Sequence, residues 1–376
     1  MESGKTKRRR ALEVAPAKAI CAAALLVALA GSLAAAEATP PAAANGWQEL
    51  IRSIKQLEKV LGFRRTKSFA HYSHKTAVSF RCYYTGKLEL PASYEGLHLK
   101  AGTQEGCRID PRRYEVFFYP VEAAPNGKSP VTASLAHESM ERFLVVVPHE
   151  DFHANREFRQ LPATLTEAAS TLAGFLTASE VARQKWGADS EVYRNLAREP
   201  ELFLRKAEIV NRYHAQLSKL YAAERSGELA LPEVLARKDK LFQEMQQACK
   251  GISPDPRSFN KCLAANNNAG LAFDMTYTKY YPLMYDLFMA YRPNLKATID
   301  ALKQALSTRS ESEVLQRLRN LAPHFVSSIT YSGPPHPVPQ RGTTLGPSVD
   351  GQRGQEVRGS AEPQFEYVTV ITKCCT

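Results

Sequence analysis

The chain has 376 residues, 44 % of them hydrophobic and 23 % charged, and a net charge of +11. That length and apolar content are ample for a sizeable core, which excludes a wholly disordered protein. The positive excess forms no basic stripe interleaved with aromatics, which argues against nucleic acid as a partner.

The N-terminus opens with Lys5, Lys7, Arg8, Arg9 and Arg10, followed by a small-residue apolar run over residues 19–36. Ala34-Ala35-Ala36 and Ala36-Glu37-Ala38 both fit a small-x-small cleavage pattern, so residues 1–36 read as a secretory signal peptide. The competing reading is a retained anchor helix, and only then would a membrane be a partner. The first 36 residues hold six Lys/Arg and two Asp/Glu, so without them the charge falls from +11 to +7. An exported protein, periplasmic or secreted, is expected, and export permits disulfides. Cys82–Cys107 and Cys249–Cys262 are the simplest local pairs, with Cys374 and Cys375 left at the far end. None has zinc-finger spacing, so a metal site must rest on histidines and carboxylates.

Residues 47–61 carry Trp47, Leu50, Ile51, Ile54, Leu57, Val60 and Leu61 at helical spacing and end at Gly62. Between residues 77 and 147 the texture changes to short β-branched or aromatic runs at 78–84, 114–119 and 143–147, punctuated by turn residues such as Pro125-Asn126-Gly127. These predict a small sheet whose last strand, 143–147, runs into Pro148. Proline suits the first turn of a helix, so a helix is expected to begin at or just before His149. From 164 onward nearly everything predicts helix: 164–186, 190–198, 199–225, 232–249, 261–291, 295–306 and 310–321. Residues 332–363, rich in Pro, Gly, Ser, Gln and Arg, cannot bury enough apolar area to offset chain entropy and read as a disordered tail. The expected architecture is α+β: a signal at 1–36, a helix and small β-sheet over 37–148, a helical region over 149–330 bearing a zincin-type helix at its start, and the tail at 331–376.

His149-Glu150-Asp151-Phe152-His153 is the stretch richest in chemistry. On a helix, residues i and i+4 share a face, so His149 and His153 can both reach one Zn²⁺ while Glu150 lies beside the water that ion would hold. The competing reading is a solvated helix that happens to carry two histidines. Catalytic zinc takes three protein ligands. Glu157 lies eight residues beyond His149, roughly 12 Å along a straight helix, too far to converge on the same ion. The third ligand should come from a second helix, and Glu167, at the head of the next helical segment, is the best candidate. Thr164-x-x-Glu167 is also a capping box, in which Glu167 would bond back to the helix start. Ala168, Ala169, Ala173 and Gly174 favour the ligand reading, because small residues let this helix pack close against the His149 helix.

At this point the chain resembles the exported bacterial zinc aminopeptidases, a gluzincin-like family with His-Glu-x-x-His, a short loop and a Glu-led Ala/Ser-rich helix ending near Gly. The likeness runs through residues 149–153 and 166–174, continues at 217–221 and at 267–271 with Tyr277, and spans roughly residues 140–305. The family commonly has Asn before its glutamate ligand; here the position is Thr166. The resemblance, with zinc chemistry, implies an exported zinc metallopeptidase, aminopeptidase-like, acting on a peptide substrate. It would hold Zn²⁺ on His149, His153 and Glu167, with Glu150 as general base. A tyrosine often stabilises the oxyanion in gluzincins; Tyr277 is the candidate, with Tyr281 behind it, although an aromatic stretch such as Tyr277, Tyr280, Tyr281 and Tyr285 more often packs a core. An aminopeptidase also needs acids for the substrate ammonium; no motif for that purpose is recognisable, and Glu138 and Glu141, just before the last expected strand, are the candidates. Asn266, Asn267 and Asn268 suit helix caps. The alternative function is a non-catalytic exported helical protein that keeps the fold and binds a peptide or an envelope partner.

Overall fold

The computed structural model describes residues 44–323 apart from 103–106, 156, 157, 159 and 263. The signal peptide at 1–36, the tail at 331–376, Cys374, Cys375 and Glu157 lie outside the described residues. The fold is α+β, with small sheets followed by a helical C-terminal part. Among the described residues no helix is long and apolar enough to cross a membrane.

Helix α1 (Ala44–Leu61) buries Trp47, Leu50, Ile51, Ile54, Leu57 and Leu61 along one side, as the spacing predicts, and leaves Val60 exposed. The chain leaves it through Gly62 at φ 80°, a left-handed turn that glycine adopts without a Cβ clash. Strand β1 (Tyr72–Ser73) later pairs in parallel with β5 (Val131–Thr132). The main sheet is antiparallel, with β2 (Ser79–Gly86) between β3 (His98–Gly102) and β4 (Tyr114–Val121). Its register sets Arg81 opposite Tyr119, Tyr83 opposite Phe117 and Cys82 opposite Phe118. Alternation along a strand therefore puts Arg81, Tyr83, Phe117 and Tyr119 on one face.

A short helix α2 (Ala133–Ala136) precedes α3 (Met140–Phe152). Here the sequence expectation fails: residues 143–147 are not a strand but the middle of α3, and Pro148 lies inside that helix instead of opening it. The helix starts earlier, at Ser139, whose hydroxyl accepts from the Arg142 amide at 3.2 Å. Every residue of α3 from Glu141 to Phe152 is buried, so its apolar run over 143–148 goes round the helix and lacks the stripe that would mark it.

Helix α4 (Ala163–Trp186) is likewise buried without a break through Ala178 and packs on α3. A Cβ on Gly174 would sit 3.0 Å from the Val145 carbonyl oxygen and 3.2 Å from the His149 Cβ, so the small residue permits that approach. Two segments predicted as separate helices join into α5 (Glu191–Arg225), which runs through Pro200. Next comes α6 (Leu231–Lys250). The expected helix over 261–291 is instead two, α7 (Asn268–Thr278) and α8 (Tyr281–Tyr291), followed by α9 (Leu295–Ala305) and α10 (Glu311–Leu321). Asn267 is the N-cap of α7, accepting from the Gly270 amide at 2.9 Å, as the capping reading expects. Phe273 of α7 packs on the sheet face, its ring centroid 4.7 Å from Tyr119 and 4.8 Å from Phe117. Both expected disulfides form, Cys82–Cys107 and Cys249–Cys262.

Candidate metal centre

His149 occupies the last turn of α3, and His153 is its C-cap, still in helical conformation. The i, i+4 spacing brings their rings together, with the two Nε2 atoms 3.2 Å apart. Glu167, one turn into α4, completes the cluster. Its Oε2 lies 3.2 Å from His149 Nε2 and 3.0 Å from His153 Nε2. The three atoms form a nearly equilateral triangle of two nitrogens and one carboxylate oxygen. Tetrahedral zinc with bonds near 2.0–2.1 Å requires donors about 3.3 Å apart, so the donor set and its spacing both fit that ion. Among the described residues this is the group of histidines and carboxylates arranged to hold a metal.

The capping-box alternative for Glu167 fails. Thr164 makes no side-chain cap, and the first amide of α4, on Ala163, donates instead to Glu95 Oε2 at 3.0 Å. That distant carboxylate satisfies the helix start and complements its dipole, leaving Glu167 free to face the histidines. Thr166 turns its hydroxyl back to the Ala163 carbonyl at 3.3 Å and gives Glu167 no support.

Support comes from a residue with no signal in the local sequence. The Tyr94 hydroxyl donates to Glu167 Oε1 at 3.1 Å, so one carboxylate oxygen is held by tyrosine while the other faces both imidazoles. Tyr94 sits on a single 3₁₀ turn, Tyr94–Gly96, capped by Ser93. Its backbone amide donates to Thr276 Oγ1 of α7 at 2.9 Å. The same turn supplies Glu95 to the start of α4, so one short element braces both helices beside the triad. Such outer hydrogen bonds orient a ligand and hold it in its binding geometry.

Glu150 is buried, and its Oε2 meets no hydrogen-bond partner among the described residues. Burial pushes its carboxyl up to about 8; Glu167 and Asp151 push the same way, and the His153 and Arg81 charges oppose them. Burial alone would raise Glu167, but His153 and the hydrogen bonds from both imidazoles outweigh it and hold its carboxyl well below the ordinary range. Burial lowers His149. At His153 burial also pulls down, yet the adjacent Glu167 and Glu150 prevail and raise it. Asp151 points away from the triad. It pairs with Lys55 of α1 and accepts from Thr66, which fastens α1 to the back of α3.

Tyr277 comes from α7 to lie beside His149, with ring centroids 6.4 Å apart and planes at 30°. It is buried, and burial together with the Glu167 charge raises its hydroxyl well above the usual range. Tyr281 is not at the site: its hydroxyl donates to the Pro200 carbonyl at 3.1 Å, and its ring packs on Phe203 and Phe175. Glu138 and Glu141 do not reach the site either. Glu141 accepts from Asn195 at 2.8 Å and Glu138 pairs with the buried Arg142 at 3.7 Å, both near the opposite end of α3. Arg81, which the sequence did not single out, lies on the sheet face shared with Tyr83 and donates to the Tyr83 hydroxyl at 2.9 Å.

The chain matches no family model, no curated protein and no solved structure, so the resemblance to zinc aminopeptidases rests on the residues named above alone.

Proposed function

We propose that the protein is a zinc-dependent metallopeptidase that hydrolyses peptide bonds. The observation that carries this reading is the triangle of His149 Nε2, His153 Nε2 and Glu167 Oε2, with the buried Glu150 carboxylate on the same helical turn. His149, His153 and Glu167 would hold the zinc ion, which when bound would supply Lewis acidity and make a water more acidic. With that positive charge beside it, Glu150 would lose its raised proton affinity, leaving Oε2 able to accept a proton. Glu150 then takes a proton from the attacking water and returns it to the leaving amine. The Tyr277 hydroxyl, kept protonated by burial, donates to the oxygen that gains charge on the scissile carbonyl. Tyr94 keeps Glu167 oriented and takes no part in proton transfer. Cys82–Cys107 and Cys249–Cys262 support export to an oxidising compartment.

The test pairs metal content with turnover. Purified protein should carry one zinc and cleave members of a peptide library. Glu150→Gln should keep the zinc and lose cleavage. Activity that survives this substitution overturns the mechanism, and zinc bound without cleavage of any peptide favours a binding protein.

A further inference from the structure

The direction of attack along a peptide can be argued from charges around the triad. A peptidase that recognises a free N-terminus needs an acid to hold the ammonium. Among the described residues, the carboxylates close to the triad are already committed: Glu167 to the imidazoles and Tyr94, Glu150 to proton transfer, and Asp151 to Lys55 and Thr66. Glu95 is bound to the amide at the start of α4. Glu95, held by that amide, is exposed; the charge left without an ion pair among the tyrosines beside the triad is positive.

That charge is Arg81. It projects from the middle strand of the sheet on the face that carries Tyr83, Phe117 and Tyr119, the face that α7 and the Tyr94 turn cover. The Tyr83 ring stacks on Tyr94 at 6.0 Å, and Tyr94 in turn holds Glu167, so Arg81 stands two side chains from a metal ligand. Its charge is felt at Glu150, Tyr94 and Tyr277, the side chains assigned to support and catalysis. Arg81 is only partly buried, and one of its terminal nitrogens donates to the Tyr83 hydroxyl. Among the described residues it forms no ion pair. The surrounding groups are tyrosines, which orient a guanidinium without neutralising it. A fixed fork of this kind, with most of its donors free, matches a carboxylate bidentately.

We propose that Arg81 is the receptor for a free carboxylate of the substrate, so that the enzyme works on peptides from their C-terminal end. The proposal rests on the metallopeptidase reading for its substrate class, but its test does not need turnover. The Glu150→Gln protein, supplied with zinc, is titrated calorimetrically with an equimolar tripeptide library in two forms, free acid and C-terminal amide. The acid library should bind about tenfold tighter or more. In the double variant with Arg81→Met the acid-to-amide ratio should fall toward one, and Arg81→Lys should restore part of it. Zinc stoichiometry in each variant reports whether the site remains assembled. Equal binding of acid and amide, loss of both forms alike on Arg81→Met, or no binding of either form would each overturn the proposal. An acid preference that depends on Arg81, in a wild-type protein that cuts nothing, would instead leave the receptor standing and overturn the peptidase reading.

Discussion

At the scale of single residues, two tyrosines touch the same centre and have separable tasks. Tyr94 holds Glu167 Oε1, whereas Tyr277 lies against His149 and, among the described residues, makes no hydrogen bond to a metal-facing atom. Removing the Tyr94 hydroxyl frees Glu167 to rotate, so Tyr94→Phe should weaken zinc affinity about 10- to 100-fold in a competition titration. Tyr277→Phe should leave that affinity in place and lower kcat about 100-fold or more on a cleaved peptide. If Tyr94→Phe binds zinc as tightly as the wild type, the tyrosine is not supporting the ligand. How much of this was legible depended on distance along the chain. His149 and His153 could be read because a helix converts a spacing of four into adjacency, and Glu167 because only one loop intervenes. Tyr94 and Arg81 could not, since they come near the centre through strand register and a turn that packs on α7, neither of which leaves a local pattern.

At the scale of elements, the misreading of α3 has a physical cause. A helix buried on all sides and a buried strand both present an unbroken apolar run, and Val145, Val146 and Val147 favour the strand by intrinsic preference. Packing decided otherwise, because two buried helices in close contact are what bring His149, His153 and Glu167 together. The same closeness governs α7, which delivers Tyr277. Gly270 lies in its first turn, where an added Cβ would fall 1.4 Å from the Ala264 carbonyl oxygen. No side-chain adjustment relieves a clash with backbone, so Gly270→Ala must shift the start of α7 or the loop before it. The cost should be at or above about 3 kcal/mol, the upper part of the range for overpacking, despite alanine's better helix propensity. Denaturant unfolding measures this directly, and a midpoint equal to that of the wild type would mean that the loop yields freely.

At the scale of the whole molecule, the His149, His153 and Glu167 triad joins two helices that are buried over most of their length, and Tyr94 and Thr276 extend the connection to α7. The two disulfides lie elsewhere, one between β2 and the segment after β3 and the other between the end of α6 and the loop before α7. The metal should therefore be a stabiliser of a fold with a large apolar core of its own, to which α3 contributes Phe143 to Val147 and α4 contributes Leu165, Leu172 and Phe175. Zinc that binds the native chain and not the unfolded one stabilises by mass action, about 2.7 kcal/mol when the free ion stands at 100 times its Kd. For a domain of this size that corresponds to several degrees in Tm. Chelation should lower the Tm of the wild-type protein by that amount while leaving the far-ultraviolet helical signal at room temperature intact. Glu167→Ala, which removes one corner of the triangle, should melt at the same temperature with and without chelator. Wild-type melting that ignores chelation would remove zinc from this account, and collapse of the helical signal on chelation would mean that the ion holds the two helices together instead of merely occupying the site they build.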